Sequence, residues 1–470
     1  MKNRAGLILL FITDAITIVA IFYLSVALRQ WVLPRLFEGL PEFEADIWTY
    51  YWIFFLWFGV VTYEGGYSRR FTFWDEVKFV WKSVLFTAII IFAILFVGKQ
   101  GALFSRAVIL NMALLSFVVI PLTRPLFKRL IYSLGLMKRK VLIIGAGRTG
   151  RTAKSALESE PNLGYEVAGF VDDEEGLPRK IDGIKVHRGV DRIERYIRRC
   201  GIQDVVIAKP ELEKDRLTSI INRIQHKVEN TLYIPDISGI AVLGTELRHF
   251  FYEQTIVIEI KNNLEHLGNY IIKRGFDYMV ALIISPFLLV IIAVISCVIR
   301  LNSQGPALFR QTRIGKDGKP FMCYKFRTMY VDAEERLEEI LANDPEKREE
   351  WEKFWKLKDD PRVTSVGRFL RRTSLDELPQ IINVLKGEMS LVGPRPYLPR
   401  EKEYLGEYAE LILSLPPGIT GLWQVSGRSN TDYEHRVRLD GWYVRNWNLW
   451  LDVVILLKTV PVILRREGAR

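Results

Sequence analysis

Apolar residues concentrate in four runs within the first 122 residues of the chain. The runs cover residues 6–28, 47–63, 84–97 and 107–122. A helix that crosses the hydrocarbon core of a membrane needs about 20 residues. The third run is short, and it reaches that length only when Phe79, Val80 and Trp81 join it. The pattern predicts four transmembrane helices.

The charges between these runs predict how the helices are oriented. The loop at 29–46 carries four acidic and two basic residues, whereas residues 124–140 carry six basic residues and no acidic one. Because basic residues favour the cytoplasmic side, we expect the N-terminus and the segment after residue 122 in the cytoplasm. A cleaved signal peptide is the alternative for the first run, but no small-residue cleavage site follows it.

A fifth apolar run covers residues 278–299, which would be about 33 Å long as a helix. Its flanks are basic on both sides, and Ser285 and Pro286 lie inside it. Proline removes a backbone donor and bends a helix, and the Ser285 hydroxyl is a candidate to satisfy a freed backbone group. We therefore predict a re-entrant helix over residues 275–299. A proline-kinked fifth transmembrane helix is the alternative.

Strand-like runs between helical stretches predict an α/β domain after the basic segment. The runs cover residues 140–144, 165–171 and 204–208. Their spacing is typical of strand–helix–strand units, so we expect a Rossmann-like domain over residues 124–250.

A glycine-rich turn with Gly145, Gly147 and Gly150 follows the first of these strands, and Asp172 follows the second. In one interpretation the glycines let a helix N-terminus approach a phosphate, and Asp172 holds a ribose. In the other, the glycines only allow a helix to pack tightly against the strand. Both interpretations are open at the level of the sequence.

Polar and glycine-proline motifs are packed closely together after residue 324. In order they are KFRTM at 325–329, DPRVT at 360–364, RRTSLDELPQ at 371–380, MSLVGPRP at 389–396 and PGITGLWQVSGR at 417–428.

The adjacent acids Asp376 and Glu377 are candidates for catalysis. Ser374 and Glu377 also fit a capping box, which would give both acids a structural role. The same motifs bring several basic residues, namely Lys325, Arg327, Arg371, Arg395 and Arg428. A carboxylate attacks phosphorus only where the repulsion between two anions is relieved, and such cations or a divalent metal relieve it. One acid then acts as the nucleophile while the other holds Mg²⁺ or moves a proton.

Composition limits the remaining possibilities. The chain has 470 residues and a net charge of +11, and its 49% of hydrophobic residues exclude a disordered chain. Its three cysteines lie far apart, which argues against a disulfide framework and against a cysteine-built zinc site. The basic residues cluster at membrane flanks and around the acid pair, so we expect no binding of nucleic acid.

From residue 273 onward the chain closely resembles the bacterial polyprenyl-phosphate hexose-1-phosphate transferases, because SLDELPQ, SLVGPRP and PGITGLWQVSGR occur in that family's order and spacing. The preceding helices and α/β insert resemble the large form of the family. The resemblance implies that a UDP-sugar gives its hexose 1-phosphate to an aspartate and releases UMP. Undecaprenyl phosphate then takes the sugar phosphate, in the first membrane step of O-antigen, capsule or exopolysaccharide synthesis. Contact with membrane lipid and a homodimer are also implied.

The resemblance assigns roles to individual residues. The family's nucleophile corresponds to Asp376 and its magnesium-associated acid to Glu377. Its substrate-binding positions correspond to Lys325, Arg327, Arg371, Pro394, Arg395, Pro396, Arg428 and Asp440. Its re-entrant Ser-Pro helix corresponds to Ser285 and Pro286. The sequence around Tyr397 and GLWQVSGRS resembles the galactose-type members, so galactose is the expected sugar.

The expected fold class is a membrane protein of α/β type with a four-helix transmembrane bundle, a Rossmann-like domain and an α-rich monotopic catalytic domain with a re-entrant helix. The domains are expected at 1–123, 124–250 and 271–470, with a connector at 251–270. The catalytic domain is expected to face the cytoplasm at the bacterial inner membrane.

Two alternative functions accompany this prediction. One is a membrane-anchored NAD-dependent nucleotide-sugar oxidoreductase or dehydratase. It is weakened because no tyrosine has a lysine four residues later, the pair that such enzymes of the short-chain type use for proton transfer. The other is a non-enzymatic nucleotide-sensing scaffold.

Overall fold

The structure, a computed structural model, describes residues 2–38, 46–99, 104–236, 246–250, 255–259, 264, 266–354, 357, 360–426 and 433–465. The chain divides into two compact units, Met1–Ser238 and Gly239–Arg470. Each unit contains its own clusters of buried apolar residues.

The first unit begins with apolar helices at all four predicted runs. They are α1 (Lys2–Ala27), which continues through a π-helical turn (Leu28–Val32) into α2 (Leu33–Leu36), then α3 (Ile47–Tyr63), α4 (Phe73–Val97) and α5 (Arg106–Ser133). The helical stretch Asn3–Leu36, α4 and α5 are long and apolar enough to cross a membrane, whereas α3 has 17 residues. These helices are compatible with membrane association.

Helix α4 is longer than the apolar run that predicts it. It begins at Phe73, where the Thr72 hydroxyl accepts a hydrogen bond from the Asp75 backbone N–H at 3.3 Å. Its first turn contains Asp75 and Glu76, which hydropathy excludes from an apolar run. With these turns α4 has 25 residues, which is enough to span the hydrocarbon core.

Charged side chains are buried between the helices of this unit. Glu76 on α4 forms ion pairs with Lys128 at 2.5 Å and with Arg124 at 3.1 Å, both on α5. Asp14 on α1 lies 3.8 Å from Arg124. Two of the basic residues that the sequence places after the last apolar run are therefore buried in ion pairs. Because an unpaired buried charge is costly, these pairs hold three helices in one arrangement.

An α/β region follows α5 in the same unit. Its strands are β1 (Arg139–Ile144), β2 (Tyr165–Val171), β3 (Lys180–Ile181), β4 (Ile184–His187), β5 (Asp204–Ile207) and β6 (Asn230–Tyr233), and its helices are α6 (Arg148–Ser159), α7 (Ile193–Cys200) and α8 (Lys214–Ile224). The strand order is β3-β4-β2-β1-β5-β6, and every pair except β3–β4 is parallel. The three strands predicted from the apolar runs are present.

Strand β1 is buried on both faces, which explains its uninterrupted apolar sequence. Leu142 and Ile144 belong to the same buried cluster as residues of α7 and α8. Val141 and Ile143 belong to a second cluster, with Ala153 of α6. A parallel strand that is covered by helices on both faces is apolar throughout and does not alternate between polar and apolar residues.

The second unit contains two hairpins, one long apolar helix and a set of short elements. In chain order they are β7 (Glu246–Phe250), β8 (Thr255–Glu259), α9 (Leu267–Asn302), β9 (Leu308–Ile314), β10 (Pro320–Phe326), α10 (Ala333–Asn343), α11 (Pro345–Phe354), α12 (Ser365–Thr373), α13 (Ile381–Leu385), β11 (Ser390–Val392), α14 (Ala409–Leu413), β12 (Gly418–Thr420), α15 (Leu422–Val425), α16 (Tyr433–Arg445) and α17 (Leu449–Arg465). The pairs β7–β8 and β9–β10 are antiparallel, and β11 pairs with β12 in parallel.

Helix α9 is one continuous helix of 36 residues, roughly 54 Å long. Pro286 lies inside it, and the Ser285 hydroxyl donates to the Ala281 carbonyl at 2.6 Å. Only 11% of its most apolar window is buried, so most of this surface is available to lipid. The return of this helix to the same side of the membrane stays a prediction.

The N-terminal part of α9 is fastened to the core of the second unit. Lys273 Nζ lies 2.8 Å from Asp452 on α17 and 3.4 Å from Asp277. Asp277 in turn accepts hydrogen bonds from the Ser390 hydroxyl at 2.7 Å and the Leu391 N–H at 3.2 Å. These bonds fix the apolar helix to β11, which leads directly into the Pro-Arg-Pro motif.

Candidate active site

The acid pair lies on a short 3-10 helix, Leu375–Gln380, that directly follows α12. Ser374, between the two helices, has a φ of 56°, a left-handed conformation that is uncommon for a residue with a side chain. Its side chain makes no capping hydrogen bond to this 3-10 helix, so the capping-box interpretation is wrong. The left-handed turn instead redirects the chain just before Asp376 and Glu377.

Lys325 connects the acid pair to the β9–β10 hairpin. Its Nζ lies 2.6 Å from Oε1 of Glu377. Burial alone would lower the pKa of Lys325, but the Glu377 and Asp376 carboxylates more than offset it, so this pKa is raised. A fixed positive charge therefore lies at the acid pair.

Asp376 is half-buried beside a second carboxylate. Burial and the neighbouring Glu377 raise its pKa to about 6, while Lys325 and Arg371 act in the opposite direction. At neutral pH the carboxylate is still largely ionised. Its raised basicity makes it a stronger nucleophile than an ordinary aspartate.

Arg371, on the last turn of α12, is a second cation near the pair. Its Nε donates to the Thr328 hydroxyl at 2.9 Å. Desolvation lowers the pKa of Arg371, and the Asp376 and Asp360 carboxylates partly offset this. Arg371 is therefore within electrostatic reach of Asp376, and its expected contact with substrate stays a prediction.

Arg327 contacts the end of α9. Its guanidinium donates to the carbonyl oxygens of Gln304 at 2.6 Å and Ser303 at 2.8 Å, and to the Ser303 hydroxyl at 2.9 Å. These bonds fix β10 to the end of the apolar helix. The expected contact of Arg327 with substrate stays a prediction.

The Pro-Arg-Pro motif forms a turn at the end of β11. The Gly418 N–H donates to the Pro394 carbonyl at 2.8 Å, and Arg313 of β9 donates to the Pro396 carbonyl at 3.0 Å. A Cβ at position 418 would lie 2.1 Å from the Gly393 nitrogen, so only glycine allows β12 to approach this closely. Packing on both sides thus fixes the turn.

Asp440 supports this turn from within the protein. It is fully buried, and its Oδ2 accepts hydrogen bonds from the Tyr397 hydroxyl at 2.7 Å and the Arg395 N–H at 3.1 Å. Burial raises the pKa of Asp440 to about 7, although both hydrogen bonds act to lower it. The Asp440 carboxylate therefore holds the backbone at Arg395 in place, and the expected contribution of Asp440 to substrate binding stays a prediction.

Three further residues near the turn carry no role in the sequence prediction. They are Arg313, Trp423 and Arg436. The Trp423 ring lies 5.6 Å from the Arg395 guanidinium carbon and 5.3 Å from that of Arg436. One sequence feature could have placed Arg436 near the site. It precedes Asp440 by four residues on α16, and residues four apart lie on the same face of a helix. Arg428, which is one of the substrate-binding positions expected from the sequence, lies outside the described residues.

The glycine-rich turn of the first unit is tightly packed. A Cβ at Gly145 would lie 2.6 Å from the Ala208 carbonyl oxygen, and one at Gly150 would lie 2.0 Å from the Gly145 oxygen. Asp172 accepts hydrogen bonds from the Ala146 N–H at 2.8 Å and from Lys209 Nζ at 2.9 Å. These contacts agree with the structural interpretation of the motif.

Space for a ligand nevertheless exists beside Asp172. Nothing lies within 4 Å of a Cβ built on Gly147. A cavity of about 390 Å³ is lined by Asp172, Lys209 and Arg216 among others. Nucleotide binding by the first unit stays a prediction.

Among the described residues, no group of three or more His, Cys, Asp or Glu side chains could hold a metal by itself. The adjacent carboxylates of Asp376 and Glu377 suit Mg²⁺ in another way. This ion commonly keeps several waters and is held by one or two carboxylates together with substrate phosphates. The donor set therefore fits a magnesium ion that arrives with a phosphate substrate.

Two protein families match separate parts of the chain. The family described as Bacterial sugar transferase matches residues 268–466, and the one described as CoA-binding domain matches residues 62–235. The first match contains the whole candidate site.

Relatives with similarity along most of the chain carry transferase names. The undecaprenyl-phosphate galactose phosphotransferase of Salmonella typhimurium is 39% identical over 86% of this chain and 84% of its own length. The UDP-galactose-lipid carrier transferase of Erwinia amylovora is 35% identical over 95% of this chain and 94% of its own. The exopolysaccharide production protein ExoY of Rhizobium meliloti is 44% identical over 42% of this chain, yet this covers 87% of its own length.

Proposed function

The chain belongs to the bacterial polyprenyl-phosphate hexose-1-phosphate transferases, which are sugar phosphotransferases, and we propose that it acts through a covalent phosphosugar on Asp376. The proposed donor is a UDP-hexose, and the proposed acceptor is undecaprenyl phosphate. The observation that carries the proposal is the half-buried Asp376, with Glu377 beside it, Lys325 paired to Glu377, and Arg371 within electrostatic reach.

In the first step an Asp376 carboxylate oxygen attacks the phosphorus that bears the sugar. The new bond is an acyl phosphate, the phosphoanhydride bond breaks, and UMP leaves with its electron pair. Lys325 and Arg371 supply positive charge that relieves the repulsion between the carboxylate and the diphosphate. The pKa of about 6 keeps Asp376 both ionised and nucleophilic at neutral pH.

In the second step a phosphate oxygen of undecaprenyl phosphate attacks the same phosphorus. The acyl phosphate bond breaks, the Asp376 carboxylate is regenerated, and the lipid diphosphate sugar leaves. One substrate is dissolved in water and the other is anchored in lipid, so the reaction requires a site at the membrane surface. The exposed apolar surface of α9 supports this location.

Magnesium is the proposed metal, with Glu377 as its protein ligand and Asp376 beside it. When bound, the ion would neutralise charge on the diphosphate of the donor. Lys325 already contacts one Glu377 oxygen, so the carboxylate is held in a fixed position.

Galactose is the proposed sugar. Two relatives that match along most of the chain, from Salmonella and Erwinia, are named for galactose. The sequence around Tyr397 and the GLWQVSGRS stretch support the same choice.

Several architectural features belong to the same proposal. The basic segment after the last apolar run of the first unit supports a catalytic unit that faces the cytoplasm. Pro286 within α9 supports a re-entrant rather than a crossing helix. The parallel strand order supports a Rossmann-like arrangement of the middle region. Homodimerisation rests on the family resemblance.

The test is an assay of UMP release by the purified full-length protein. The protein in lipid nanodiscs is given undecaprenyl phosphate, Mg²⁺ and either UDP-galactose or UDP-glucose. We expect release with both lipid and donor present, faster with UDP-galactose, and at least about a thousand-fold slower in Asp376→Asn because the nucleophile is lost.

The control for this assay is the folding of the variant, followed by its thermal melting and its elution in gel filtration. A folded Asp376→Asn protein that releases UMP at the wild-type rate would contradict the proposed mechanism. A folded wild-type protein that turns over neither UDP-hexose would contradict the proposed donor.

A further inference from the structure

Thr328, in the KFRTM motif, contacts Arg371, although the sequence prediction gives Thr328 no role. Its side chain is buried, and its hydroxyl accepts a hydrogen bond from Arg371 Nε at 2.9 Å. Thr328 lies just after the end of β10, whereas Arg371 lies in the last turn of α12. The bond therefore joins the strand that carries Lys325 to the helix that leads into the acid pair.

The backbone around Thr328 is fixed against the start of α12. The Thr364 N–H donates to the Thr328 carbonyl at 3.0 Å, and Met329 forms an antiparallel β-bridge with Val363. A Cβ at Gly367, in the first turn of α12, would lie 2.0 Å from the same carbonyl oxygen, so only glycine lets the helix approach this closely. The Thr328 hydroxyl is thus held in a defined position relative to the helix that carries Arg371.

The contact with Thr328 determines which part of the Arg371 guanidinium is available. Thr328 binds the inner nitrogen, Nε, and among the described residues the outer nitrogens Nη1 and Nη2 have no hydrogen-bond acceptor. Arg371 also forms no ion pair with Asp376 in the described part of the chain, although the two groups are within electrostatic reach. Arg371 keeps exposed surface. The planar outer edge of a guanidinium matches two oxygens of a phosphate, so this edge is suited to bind one.

We propose that Thr328 is a positioning residue, whose hydroxyl holds Arg371 so that the outer edge of the guanidinium contacts the reacting phosphate of the donor. A charge stabilises the transition state most effectively when its orientation is fixed before the reaction. Without the hydroxyl, the Arg371 side chain would keep its charge but lose this orientation. The inference rests on the proposed function for the identity of the phosphate, and it adds Thr328 to the residues on which transfer depends.

The test compares variants that keep or remove the Thr328 hydroxyl in the full-length protein in nanodiscs. Thr328→Val removes the hydroxyl at nearly the same size, and it is made both alone and together with Arg371→Ala. Thr328→Ser keeps the hydroxyl. The matched control is Thr312→Val, because Thr312 is an exposed threonine on β9 whose hydroxyl contacts the Met322 sulfur at 3.6 Å. The kcat and KM for UDP-galactose are measured with undecaprenyl phosphate and Mg²⁺ present, and melting temperatures are recorded for every protein.

We expect Arg371→Ala to lower kcat at least about a hundred-fold, which is the order expected when one electrostatic group at a transition state is removed. Thr328→Val should lower kcat about ten-fold and change KM less than about three-fold, because a misoriented guanidinium loses mainly transition-state contacts. Added to Arg371→Ala, Thr328→Val should lower kcat less than about two-fold further, because both replacements remove the same interaction. Thr328→Ser should stay within about three-fold of the wild type, and Thr312→Val should match the wild type.

The outcomes separate a positioning role from a structural one. A folded Thr328→Val protein with the wild-type kcat overturns the inference, and so does a loss of kcat that is equally large with and without Arg371. A threonine that only supports the fold would lower the melting temperature and leave kcat per folded protein unchanged. If Thr328→Val does not fold, Thr328→Ala, which also lacks the hydroxyl, takes its place in the same comparison.

The outcomes also separate the inference from the proposed function. If Asp376→Asn retains turnover while Thr328→Val still acts only through Arg371, the covalent mechanism is contradicted and the inference is supported. A folded wild-type protein that turns over neither UDP-galactose nor UDP-glucose overturns both.

Discussion

At the scale of single residues, Asp376 combines a chemical advantage with a cost in stability. Its pKa in the folded protein is about 6, against an ordinary value of 3.8, because of burial and the adjacent Glu377. The unfolded chain ionises this carboxyl more easily than the folded one does. The stabilising contribution of the protonated form is therefore complete below about pH 4 and is lost as the pH rises through 6.

The replacement Asp376→Asn should consequently stabilise the protein at high pH. At about pH 8 we expect it to raise the free energy of unfolding by on the order of 2 kcal/mol. Near pH 4 the difference should shrink, because the wild-type carboxyl is then protonated as well. Thermal melting at the two pH values checks this, and an equal difference at both would contradict the raised pKa.

The replacement Asp360→Asn serves as a control, because its expected effect on stability at high pH has the opposite sign to that of Asp376→Asn. Although burial acts to raise the pKa of Asp360, hydrogen bonds and the charge of Arg362 lower it overall. Asp360→Asn should therefore destabilise the protein at about pH 8 and have a smaller effect as the pH falls below its ordinary value.

We expect Lys325 to determine the pH at which the reaction slows on the acidic side of its pH–rate profile. Its charge lowers the pKa of Asp376, so Lys325→Gln should move the pH at which the first step is half-maximal upward by about one unit. The measurement is the pH dependence of UMP release in a single turnover. Lys319→Gln, at an exposed position of the same hairpin, should leave the profile unchanged. An unshifted profile in Lys325→Gln would show that Lys325 does not act on the nucleophile.

At the scale of elements, the β9–β10 hairpin and the turns around it organise the site. Lys325 holds Glu377, Arg313 holds the Pro-Arg-Pro turn, and Arg327 fastens the hairpin to the end of α9. Asp440 on α16 fixes the same turn by accepting hydrogen bonds from the Tyr397 hydroxyl and the Arg395 N–H.

The role of Asp440 as a support predicts a contrast between two replacements. Asp440→Asn keeps an oxygen that accepts both hydrogen bonds, so folding and transfer should remain within about ten-fold of the wild type. Asp440→Ala leaves the Tyr397 hydroxyl and the Arg395 N–H without their acceptor, at a cost of about 1–3 kcal/mol for each group. Thermal melting and the KM for the donor measure both effects. A folded Asp440→Asn protein as inactive as Asp376→Asn would instead assign chemistry to Asp440.

The sequence predicts these elements only where the relevant information is local. Strand β1 and the apolar helices are uninterrupted apolar runs, so their presence follows directly. The start of α4 does not, because Asp75 and Glu76 become part of a helix only through their caps and buried partners. Likewise, the adjacent acids and Lys325 are visible in motifs. The contact between Trp423 and Arg436 and the use of Arg327 at the end of α9 depend on tertiary packing.

At the scale of the whole molecule, the residues proposed for catalysis, Asp376 and Glu377, both lie in the second unit. The Rhizobium relative matches 42% of this chain over 87% of its own length, so that relative is much shorter than this chain. Within the first unit, Asn162 donates to Glu76 at 2.5 Å and to the Phe71 carbonyl at 3.0 Å, which ties the α/β region to the apolar helices. The first unit is thus organised as one body.

A shortened protein of residues 264–470 should therefore retain transfer of sugar phosphate. We expect kcat within about ten-fold of the full chain in nanodiscs, because the residues proposed for catalysis and the Bacterial sugar transferase match at 268–466 both lie within this fragment. Comparison of UMP release by the two proteins checks this. A folded fragment that binds UDP-sugar but transfers nothing would show that the first unit takes part in catalysis.

The most direct test of the central claim is the mass of the intact protein after incubation with UDP-galactose and Mg²⁺ in the absence of undecaprenyl phosphate. We predict that the wild-type protein gains the mass of one hexose phosphate, that peptide mapping places it on Asp376, and that added undecaprenyl phosphate removes it. Asp376→Asn should gain nothing. An unmodified wild-type protein that still transfers sugar phosphate when the lipid is supplied would contradict a covalent intermediate.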